Sequence, residues 1–565
     1  MAPVRSENGD VTSVTPEQLA DTAELRKARG AFFTPSEITE FIAGWALRDA
    51  SDRVMEPSAG DAAFLIAAVK RLHSLADSPQ IAPRVDGVEI HAHSAEVARR
   101  RVMEAGGIPA IQHDDFFCVE PLPTYDAVIG NPPYIRYQDF SGESRMRARA
   151  AALRAGVPLT GLASSWAAFT VHGAQFLRPG GRLGLVLPAE LLSVNYAAPV
   201  RRFLFDSFAD VTLVLFDEQV FPEAEADVVL LLADGFGLGP ATHATIRQTR
   251  NAETLPLLDR GSKWQPMDPS AKWTSSLITA AAADSLISLA DDGAFRDLET
   301  WGDTTLGIVT GNNRFFTMSP ARAAELGLAQ EELVRLSPPG SAHLRGLSLT
   351  TGMLTRLGAD GSSTLLFAPG ETLSSAAAAY IESGHRTGVD TAYKCRVRKP
   401  WYKVPLVPPA DLLLTCMNAD TPRLTTNTAR AHHLNSVHGV YLADQHRDLG
   451  VELLPLASLN SVTVLHAELV GRAYGGGILK IEPREADRWL MPSPALVRSR
   501  AERLREIRPA IGRLLRQGRL LDAVHQVDEV LLEDPGVMAG ERLALVRDAR
   551  IEMARRRTAR GQRAR

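Results

Sequence analysis

The sequence predicts an α/β protein with a doubly wound, mostly parallel sheet, followed by a second domain of mixed α and β structure. The first observation is that, from about Arg53 to Asp234, short apolar runs alternate with helical stretches, as in parallel strands covered by helices on both faces. The second is that this alternation fades after Gly235, where turn, strand-like, aromatic and basic residues mix. Seven strands are expected in the sheet, at residues 53–56, 85–90, 108–112, 125–129, 182–187, 211–216 and 228–232.

Four segments are predicted along the chain. A length of 565 residues with 45% hydrophobic content allows more than one packed core, since single cores stop growing at roughly 250–300 residues. We expect an N-terminal extension at 1–29, the α/β domain at 30–240, the mixed domain at 241–494 and a basic helical segment at 495–565. The last segment is expected to be a solvated helix or frayed tail, with contact to phosphate groups as the alternative.

The overall charge and the cysteines limit the class of protein. The formal net charge is -4, so binding to nucleic acid must be argued from the distribution of charge and not from its total. Cys118, Cys395 and Cys416 are widely spaced and offer neither a disulfide framework nor a zinc cluster, so no metal is expected. The sequence lacks an apolar stretch of about 18 residues and a signal-peptide pattern, which predicts a cytoplasmic bacterial protein without a membrane segment.

The strongest motif is Asn131-Pro132-Pro133-Tyr134, which directly follows the apolar run 126–130. Asn and Pro also favour tight turns at strand ends, so a purely structural turn is the alternative. As a functional motif it would address a conjugated amine such as N6 of adenine, whose delocalised lone pair makes it a poor nucleophile. The Asn131 side chain and the rigid Pro132 carbonyl offer two acceptors for the amine protons, and Tyr134 offers a flat face for a base.

At these residues the sequence resembles the N6-adenine DNA methyltransferases of restriction–modification systems. It is similar to the TaqI-like γ group, in which the cofactor motifs precede the catalytic motif and a target-recognition domain follows. The resemblance is continuous from about Gly30 to Asp234 and returns in patches to about Pro494. It implies S-adenosylmethionine as cofactor, double-stranded DNA as substrate, catalysis by residues 30–240 and target recognition by residues 241–494.

The resemblance assigns cofactor binding to several short motifs. Residues 30–37 look like the family's first cofactor motif, and residues 54–65 look like its strand, small-residue turn and helix. An acidic residue at the end of the next strand is expected to accept from ribose hydroxyls, and residues 113–117 are expected at the adenine ring. The predicted cofactor-binding residues are Thr34, Glu56, Ala59, Gly60, Glu89, Asp115 and Phe116.

Two of these residues have an alternative structural role, and for a third an adjacent aspartate could take the same role. Thr34 would otherwise be the N-cap of a helix, and Phe116 would otherwise be a core residue. Asp115 is preferred to Asp114 as the residue at the adenine ring. The family often has Gly where this chain has Ala62, so we do not expect Ala62 to contact the cofactor.

For the catalytic step the resemblance implies Asn131, Pro132, Tyr134 and Phe221. The target adenine would rotate out of the duplex, because N6 within the base stack cannot reach a methyl donor in a protein pocket. Asn131 and Pro132 would hold the amine for direct in-line transfer without a covalent nucleophile. Tyr134 and Phe221 would enclose the base from opposite faces, and the alternative for Phe221 is a buried residue at a strand end.

Three segments of the second half resemble target-recognition loops of the same family. They are residues 307–316, 399–403 and 471–477, and they combine donors, cations and aromatic residues with glycines, as contacts to DNA backbone and bases require. Each segment alone would also fit an ordinary surface loop. The predicted DNA-binding residues are Asn312, Asn313, Arg314, Trp401, Lys403 and Arg472.

The length and the order of motifs resemble modification methylases of the SalI and XamI type. This resemblance implies a short palindromic target with a TCGA core and a cognate restriction endonuclease that is encoded separately. The sequence shows no Asp followed by a Glu-x-Lys pattern in a convincing context, so we expect a modification enzyme without cleavage activity. We expect it to act as a monomer.

Several other activities remain as alternatives. No cysteine follows a proline, which argues against the thiolate chemistry of cytosine-C5 methylation. Cytosine-N4 methylation is chemically closer, although that class usually has Ser in place of Asn131. The same tetrapeptide occurs in glutamine methyltransferases that act on release factors and in some ribosomal RNA methyltransferases. A DNA-binding subunit without catalysis is the remaining alternative.

Overall fold

The computed structural model describes residues 34–76, 82–218, 220–221, 228–266, 268–533, 537–538 and 540–562. The predicted extension at 1–29 and the first four residues of the motif at 30–37 lie outside these ranges. The chain divides into two compact units, Met1–Trp273 and Thr274–Arg565. Each unit has its own sheets and its own hydrophobic clusters.

The first unit is built on a nine-stranded sheet. Its strands are β1 (Val54–Glu56), β2 (Arg84–Glu89), β3 (Ile108–His113), β4 (Tyr125–Gly130), β5 (Leu177–Pro188), β6 (Phe208–Phe216), β7 (Val228–Phe236), β8 (Ala244–Thr249) and β9 (Ser262–Trp264). They lie in the order β3-β2-β1-β4-β5-β7-β6-β8-β9. Pairing from β3 across to β5 is parallel, and β7 runs antiparallel between β5 and β6. Each predicted strand overlaps one of β1 to β7.

Helices cover both faces of this sheet. They are α1 (Ser36–Ala46), α2 (Ala63–Leu75), α3 (Ala92–Glu104), α4 (Gly142–Arg154), α5 (Ser165–Ala174), α6 (Glu190–Ser193) and α7 (Ala198–Ser207). Ala127 and Ile129 of β4 belong to the cluster that holds the buried residues of α1, α2 and α3. Val128 lies on the opposite face, where a Cβ built on Gly173 of α5 would be 3.5 Å from its Cγ1. A strand buried on both faces needs consecutive apolar residues, as β4 has. Because helices pack on both faces of the sheet, the predicted doubly wound fold is confirmed.

The strand order reverses between β1 and β4, which are paired at the centre of the sheet. From β1 the chain moves outward through β2 to β3, then returns to β4 and continues toward the other edge. Ligands of open α/β sheets bind outside the carboxyl ends of the strands at such a reversal. Glu56 and Glu89 end β1 and β2, and Asn131 directly follows β4, so the topology brings three separate motifs to one edge.

The sheet of the first unit continues past residue 240, where we had predicted the domain to end. β8 pairs with β6 in parallel register, and β9 pairs with β8 in antiparallel register. The Trp273 side chain is fully buried, and its ring centroid lies 5.4 Å from that of Phe205. The first compact unit therefore extends to Trp273, because this segment buries its apolar surface against the first sheet.

Small antiparallel sheets take the place of a single large sheet in the described part of the second unit. One pairs β10 (Phe295–Asp297) with β21 (Leu490–Pro492), and a second has the order β11 (Gly302–Leu306), β18 (Val437–Leu442), β15 (Leu412–Thr415), β17 (Leu424–Thr426). A third has the order β12 (Thr317–Met318), β14 (Leu365–Phe367), β13 (Leu333–Arg335), and a fourth the order β16 (Met417–Asn418), β20 (Ile478–Lys480), β19 (Arg472–Tyr474). The mixed α and β structure predicted for the second half is present.

The C-terminal helices share the main hydrophobic cluster of the second unit. The helices of this unit are α8 (Ala280–Asp291), α9 (Asn313–Phe316), α10 (Pro320–Glu325), α11 (Thr351–Ala359), α12 (Ser375–Arg386), α13 (Tyr393–Arg396), α14 (Arg447–Ala457), α15 (Ser461–Val470), α16 (Pro483–Ala486), α17 (Pro494–Ser499), α18 (Ala501–Arg516), α19 (Leu520–Leu531) and α20 (Glu541–Gln562). Leu504, Val527 and Val546 from the last three helices lie in one cluster with Trp301 and Leu412. The segment predicted as separate at 495–565 thus contributes to the core of the second unit.

Some arginines of this C-terminal part neutralise buried carboxylates. Arg557 is 4% exposed, and its Nη2 donates to Glu468 at 2.8 Å. Arg547 pairs at 2.8 Å with Asp528, which is fully buried and also accepts from the Ser461 amide at 2.7 Å. A buried carboxylate is costly unless it is paired, so these cations stabilise the core by pairing with buried carboxylates. In this respect the segment differs from a solvated helix or frayed tail.

Among the described residues, no single helix has the length and hydropathy required to cross a membrane. The segments Asp444–Ala457 and Ser461–Val470 meet those two conditions only as a pair that is bent by 89°.

Candidate active site

The turn between β1 and α2 contains two residues in the left-handed conformation. Gly60 has a φ of +50° and Ala62 a φ of +67°, a conformation that costs a residue with a Cβ roughly 1–2 kcal/mol. The Ala62 amide donates to the Ala59 carbonyl at 2.6 Å, and the Ala59 amide donates to the Val88 carbonyl at 2.9 Å. The glycine that the resembling family often has at this position would relieve the strain that Ala62 carries here.

Glu89, at the end of β2, holds this turn with both carboxylate oxygens. Its Oε2 accepts from the Gly60 amide at 2.9 Å, and its Oε1 accepts from the His91 amide at 2.9 Å. The residue is 5% exposed. Each carboxylate oxygen can accept a further hydrogen bond, so Glu89 can also bind two neighbouring hydroxyl groups.

Glu56, at the end of β1, has a buried carboxylate oxygen that lacks a partner. The residue is 3% exposed, and no described group donates to its Oε2. Burial, together with the negative charges of Asp61 and Glu89, raises the pKa of this carboxyl well above its ordinary value. Leaving a buried acceptor unsatisfied costs about 1–3 kcal/mol. The oxygen is therefore suited to a cation or donor that a ligand supplies.

Asp115 caps the short turn that follows β3. Its Oδ1 accepts from the Phe117 amide at 3.0 Å, and its Oδ2 lies 3.4 Å from Nη1 of Arg147 on α4. The neighbouring Asp114 accepts from the Asp115 amide through Oδ1 at 2.8 Å and from Gln112 through Oδ2 at 3.1 Å. The two aspartates therefore both have structural partners, and both line the same cavity.

Phe116 lies between the core and the cavity. Its ring stacks on Phe169 with centroids 5.4 Å apart and an interplanar angle of 14°, and it also contacts His172 and Phe176. Only 3% of the residue is exposed. Phe116 and Phe169 nevertheless form part of the cavity wall, so the core role and the site role of Phe116 hold together.

A cavity of about 690 Å³ lies at this edge of the sheet. It is lined by all the residues predicted to bind the cofactor and by Asn131. These residues come from the start of α1, from the ends of β1 and β2, from the turn after β3 and from the segment after β4. Sites for small molecules and cofactors typically have volumes of about 300–1,000 Å³, so the cavity is of suitable size.

Two neighbours fix the orientation of the Asn131 amide. Its Nδ2 donates to Thr34 Oγ1 at 3.2 Å, and its Oδ1 accepts from the Tyr134 hydroxyl at 2.6 Å. Thr34 thus contacts the Asn-Pro-Pro-Tyr motif and does not cap α1, which begins at Ser36 without a side-chain cap. The Asn131 oxygen keeps a second lone pair, so it can accept from a ligand in a defined direction.

The two prolines of the motif present their carbonyls differently. The Pro133 carbonyl accepts from the Ser165 hydroxyl, and Ser165 Oγ accepts from the Ile135 amide at 2.9 Å. Within the described ranges no group donates to the Pro132 carbonyl. Pro132 is buried and the next residue has no N–H. The Pro132 carbonyl is therefore a rigid acceptor that the protein itself does not use.

Of the four residues predicted for catalysis, Asn131 lines the cavity, whereas Pro132, Tyr134 and Phe221 do not. The Tyr134 hydroxyl lies 3.0 Å from the Val186 carbonyl, in addition to its contact with Asn131. Burial raises the pKa of this hydroxyl well above its ordinary value, which keeps it a donor. Phe221 is 5% exposed and belongs to the hydrophobic cluster on which Tyr134 packs. The fold thus brings both aromatic residues to one cluster.

The first three residues predicted to contact DNA lie at the start of α9. Asn312 caps this helix by accepting from the Phe315 amide at 3.2 Å. Asn313 accepts from the Thr310 hydroxyl at 2.6 Å, and its side chain is exposed. Arg314 is exposed as well. The amides of Asn312 and Asn313 therefore have structural tasks, whereas the Arg314 guanidinium projects from the surface.

The other three predicted residues have partners within the second unit. The Trp401 ring packs on Phe315 with centroids 5.5 Å apart, as part of a hydrophobic cluster. Lys403 Nζ lies 2.9 Å from Glu371. Arg472 Nε lies 2.9 Å from a carboxylate oxygen of Glu485. These contacts stabilise the loops in which the residues stand.

Ile90, which directly follows Glu89, is a cavity residue that was not among the predicted site residues. Ile90 is 53% exposed and lines the cavity. A large apolar side chain in this position gives the cavity wall an apolar contact in addition to Phe116. The signal was present in the sequence as an apolar residue immediately after the acidic end of a strand. Phe169 was also missed, because it lies inside an apolar helix without a motif.

Two family models match separate parts of the chain. The N-6 DNA methylase model matches residues 10–234, and the model of the C-terminal domain of the type II methyltransferase M.Eco57I matches residues 270–532. The second match begins close to the division between the two compact units at Trp273. The two models therefore follow the same division of the chain as its internal contacts.

Characterised relatives cover most of the chain. It is 22% identical over 490 residues to the type II methyltransferase M.AccI of Acinetobacter calcoaceticus. This alignment covers 83% of the present chain and 86% of M.AccI. It is 24% identical over 479 residues to the type II methyltransferase M.XamI of Xanthomonas campestris pv. amaranthicola, across 82% of this chain and 85% of that one. Among solved structures, the type IIG restriction endonuclease BpuSI covers 95% of this chain and 67% of its own, at 14% identity and a TM-score of 0.41.

Proposed function

Because the chain is an adenine-specific DNA methyltransferase of the restriction–modification type, we propose that it methylates N6 of an adenine rotated out of a short duplex site. S-adenosylmethionine is the methyl donor in this proposal. The observation that carries it is the Asn131 amide, which two neighbours orient at the wall of the cavity. The next residue supplies the Pro132 carbonyl, an acceptor that no described group uses.

The residues of the cavity fit S-adenosylmethionine by their chemistry. The unpartnered oxygen of Glu56 suits the α-ammonium group of the methionine portion, and Glu89 suits the two ribose hydroxyls. Phe116 and the exposed Ile90 offer apolar faces to the adenine ring, and Asp115 offers an acceptor for its amine. When bound, the cofactor supplies an electrophilic methyl group on a sulfonium sulfur.

Asn131 and Pro132 act on the amine of the target base. Each oxygen accepts a hydrogen bond from one N6–H, which localises the nitrogen lone pair and directs it toward the methyl carbon. Asn131 and Pro132 would hold the amine in line for the methyl group that the cofactor supplies, and the methylated amine would lose one proton to solvent. Thr34 and Tyr134 hold the Asn131 amide from both ends, so the acceptor is oriented before the base arrives and little reorganisation is needed.

Tyr134 and Phe221 are assigned to opposite faces of the extruded base. Unstacking a base costs a few kcal/mol, and stacking on an aromatic side chain returns about 1–3 kcal/mol. Both residues lie in one hydrophobic cluster near the catalytic motif. Entry of the base requires this cluster to open. The Tyr134 hydroxyl has two acceptors within 3.0 Å, so it can keep one hydrogen bond while the ring moves.

The biological role proposed is protection of DNA from a separately encoded restriction endonuclease. The relatives named M.AccI and M.XamI are type II methyltransferases, which supports this role. The order of motifs and the chain length favour a short palindromic target with a TCGA core, methylated by a monomer. The match of residues 270–532 to a type II methyltransferase domain speaks against release-factor or ribosomal RNA substrates.

A transfer assay with tritiated S-adenosylmethionine tests the proposed function. We expect label in duplex DNA, no label in release factor or ribosomal RNA, and N6-methyladenine at one palindrome when host DNA expressing the protein is sequenced with detection of modified bases. Label confined to protein or RNA would overturn the choice of substrate. Binding of duplex DNA without any methylated base would favour a non-catalytic subunit.

Replacing Tyr134 by Phe separates the two roles given to this side chain. Tyr134→Phe keeps the ring and removes the donor to Asn131, so we expect kcat to fall about tenfold, the effect of about 1.4 kcal/mol from one lost orienting hydrogen bond. Tyr134→Ala also removes the stacking surface, and we expect a loss of roughly a hundredfold or more. Single-turnover rates at saturating DNA and cofactor measure both. Tyr137→Phe, at a tyrosine that is 39% exposed, is the control and should be unchanged. Equal losses in the two Tyr134 variants would contradict stacking by the ring.

A further inference from the structure

One short stretch of the second unit concentrates positive charge. Residues 386–403 contain one acidic residue, Asp390, and the six cations Arg386, Lys394, Arg396, Arg398, Lys399 and Lys403. The whole chain, by contrast, has a net charge of -4. A local excess of this kind is the electrostatic signature of a surface that binds a polyanion. Within this stretch the sequence analysis predicts a recognition loop at 399–403, with Trp401 and Lys403 as its contacts, and does not single out Lys394 or Arg396.

The stretch is fastened to the loop that precedes α9. Arg398 donates to the carbonyls of Val309 and Thr310, the second at 2.7 Å. The Cys395 side chain is fully buried. These contacts tie α13 and the residues after it to the loop at 309–314, so cations from two distant parts of the sequence are carried on one rigid framework.

Gly311 permits the close approach of these two segments. Its φ is +91°, and a Cβ built on it would be 3.0 Å from both the Cys395 Sγ and the Lys394 Cβ. A side chain at position 311 would push the two segments apart, since such a contact is tighter than ordinary packing allows. The glycine therefore places the stem of Lys394 directly beside the loop that carries Arg314.

Four cations of this framework project from the surface without an acidic partner. They are Arg314, Lys394, Arg396 and Lys399, and all four are exposed; we call them the basic patch. None of them forms an ion pair with an acidic side chain in the part of the chain that the structure describes. Lys403, in contrast, is paired with Glu371. The patch therefore has uncompensated positive charge.

Exposed apolar and aromatic groups lie between these cations. Tyr393 is 65% exposed and Val397 is 59% exposed. The Lys394 ammonium lies 5.7 Å from the centre of the Tyr393 ring. Interleaved cations and aromatic groups suit the phosphates and sugars of a nucleic-acid backbone.

We propose that the basic patch binds the phosphate backbone of the duplex that carries the target site. This inference rests on the proposed function, because that function supplies duplex DNA as the substrate. The patch contacts phosphates and does not read bases, so it contributes affinity that is independent of sequence and depends strongly on salt. Base recognition is left to other side chains of the second unit.

The exposed arginines of α18 are a competing surface, and their surroundings argue against them. Arg503 and Arg513 are exposed and form no ion pair with a described residue. Glu502 and Glu506 stand beside Arg503 in the sequence of the same helix, so the local field there is mixed. Removing these two arginines changes the net charge by the same amount as removing two cations of the basic patch, which makes them a matched control.

The test compares the double variant Lys394→Gln, Arg396→Gln with the control Arg503→Gln, Arg513→Gln. Fluorescence anisotropy with a labelled duplex, at several salt concentrations, gives the dissociation constant and its salt dependence. For the patch variant we expect DNA binding to weaken by at least about tenfold near 0.1 M salt. We also expect the negative slope of log K against log salt to become shallower by about 1.8, or about 0.9 for each lost phosphate contact. We expect the loss to be equal for target and non-target duplexes.

Calorimetry with S-adenosylmethionine and thermal unfolding complete the experiment. Both should be unchanged in the patch variant, because its substitutions are exposed. An unchanged salt slope, or an equal loss in the control variant, would overturn the inference while wild-type methylation stands. Wild-type protein that binds duplex DNA through the patch but methylates no adenine would overturn the proposed function and leave the binding surface supported.

Discussion

Asn131→Ala is expected to lower kcat by roughly 10²–10³-fold while S-adenosylmethionine still binds with its ordinary affinity. Removing one preorganised partner of a developing charge typically costs a factor of this size. The Asn131 oxygen is held by the Tyr134 hydroxyl at 2.6 Å, and its nitrogen is held by Thr34 at 3.2 Å, so the alanine variant loses an acceptor that the folded protein holds in a fixed orientation. Single-turnover methylation of a duplex target measures the rate, and calorimetry measures cofactor binding.

Two further variants sharpen this prediction. Asn131→Asp keeps an oxygen acceptor but loses the donor to Thr34, and we expect a loss smaller than that of the alanine variant. Asn195→Ala removes an exposed asparagine of the same unit and should leave the rate unchanged. A variant at 131 that loses cofactor binding but retains the single-turnover rate at saturating cofactor would show that this residue serves the cofactor and not the base.

Glu89→Ala is expected to weaken S-adenosylmethionine binding by at least about a hundredfold. Hydrogen bonds to a charged group contribute about 1.5–3 kcal/mol each, and the carboxylate would lose two ribose hydroxyls. It would also stop accepting from the Gly60 and His91 amides, each at 2.9 Å, so the turn that we propose contacts the cofactor would lose its support. Calorimetry and the thermal shift produced by the cofactor measure the effect.

The conservative variant separates charge from shape. Glu89→Gln keeps the side-chain volume, but its amide nitrogen must face one backbone N–H, so we expect an intermediate loss of about tenfold. At saturating cofactor the methylation rate of this variant should approach that of the natural protein. Glu120→Ala, at an exposed glutamate of the first unit, is the matched control. Unchanged cofactor affinity in both Glu89 variants would contradict the role of this carboxylate.

The fold and the cofactor motifs were accessible from sequence because they depend on local patterns. Continuous apolar runs at residues 127–129 and 228–232 mark strands buried on both faces. Small residues between Glu56 and Ala62 mark a turn with left-handed backbone, and the structure places Gly60 and Ala62 in that conformation. The prediction of an α/β methyltransferase fold is therefore confirmed, whereas the order of the strands in the sheet is known only from the structure.

Local patterns did not distinguish exposed cations from those with partners. Arg472 and Lys403 looked like DNA contacts, yet each lies beside a carboxylate within 2.9 Å. Lys394 and Arg396 belong to no predicted motif, yet they are exposed and without an acidic partner in the described chain. A side chain's partners depend on segments far away in the sequence, and neither composition nor periodicity contains that information.

The fold class, the Asn131-Pro132-Pro133-Tyr134 motif and the predicted cofactor-binding residues that line the cavity could be identified from the sequence, because each follows from short-range spacing. Other features become visible only in the folded chain. Thr34 and Tyr134 orient Asn131, and arginines such as Arg557 pair with buried carboxylates of the core. Gly311 lets a basic segment approach the loop that carries Arg314. The physical reason is that strand order and burial set these long-range contacts, and both arise from the packing of the whole chain.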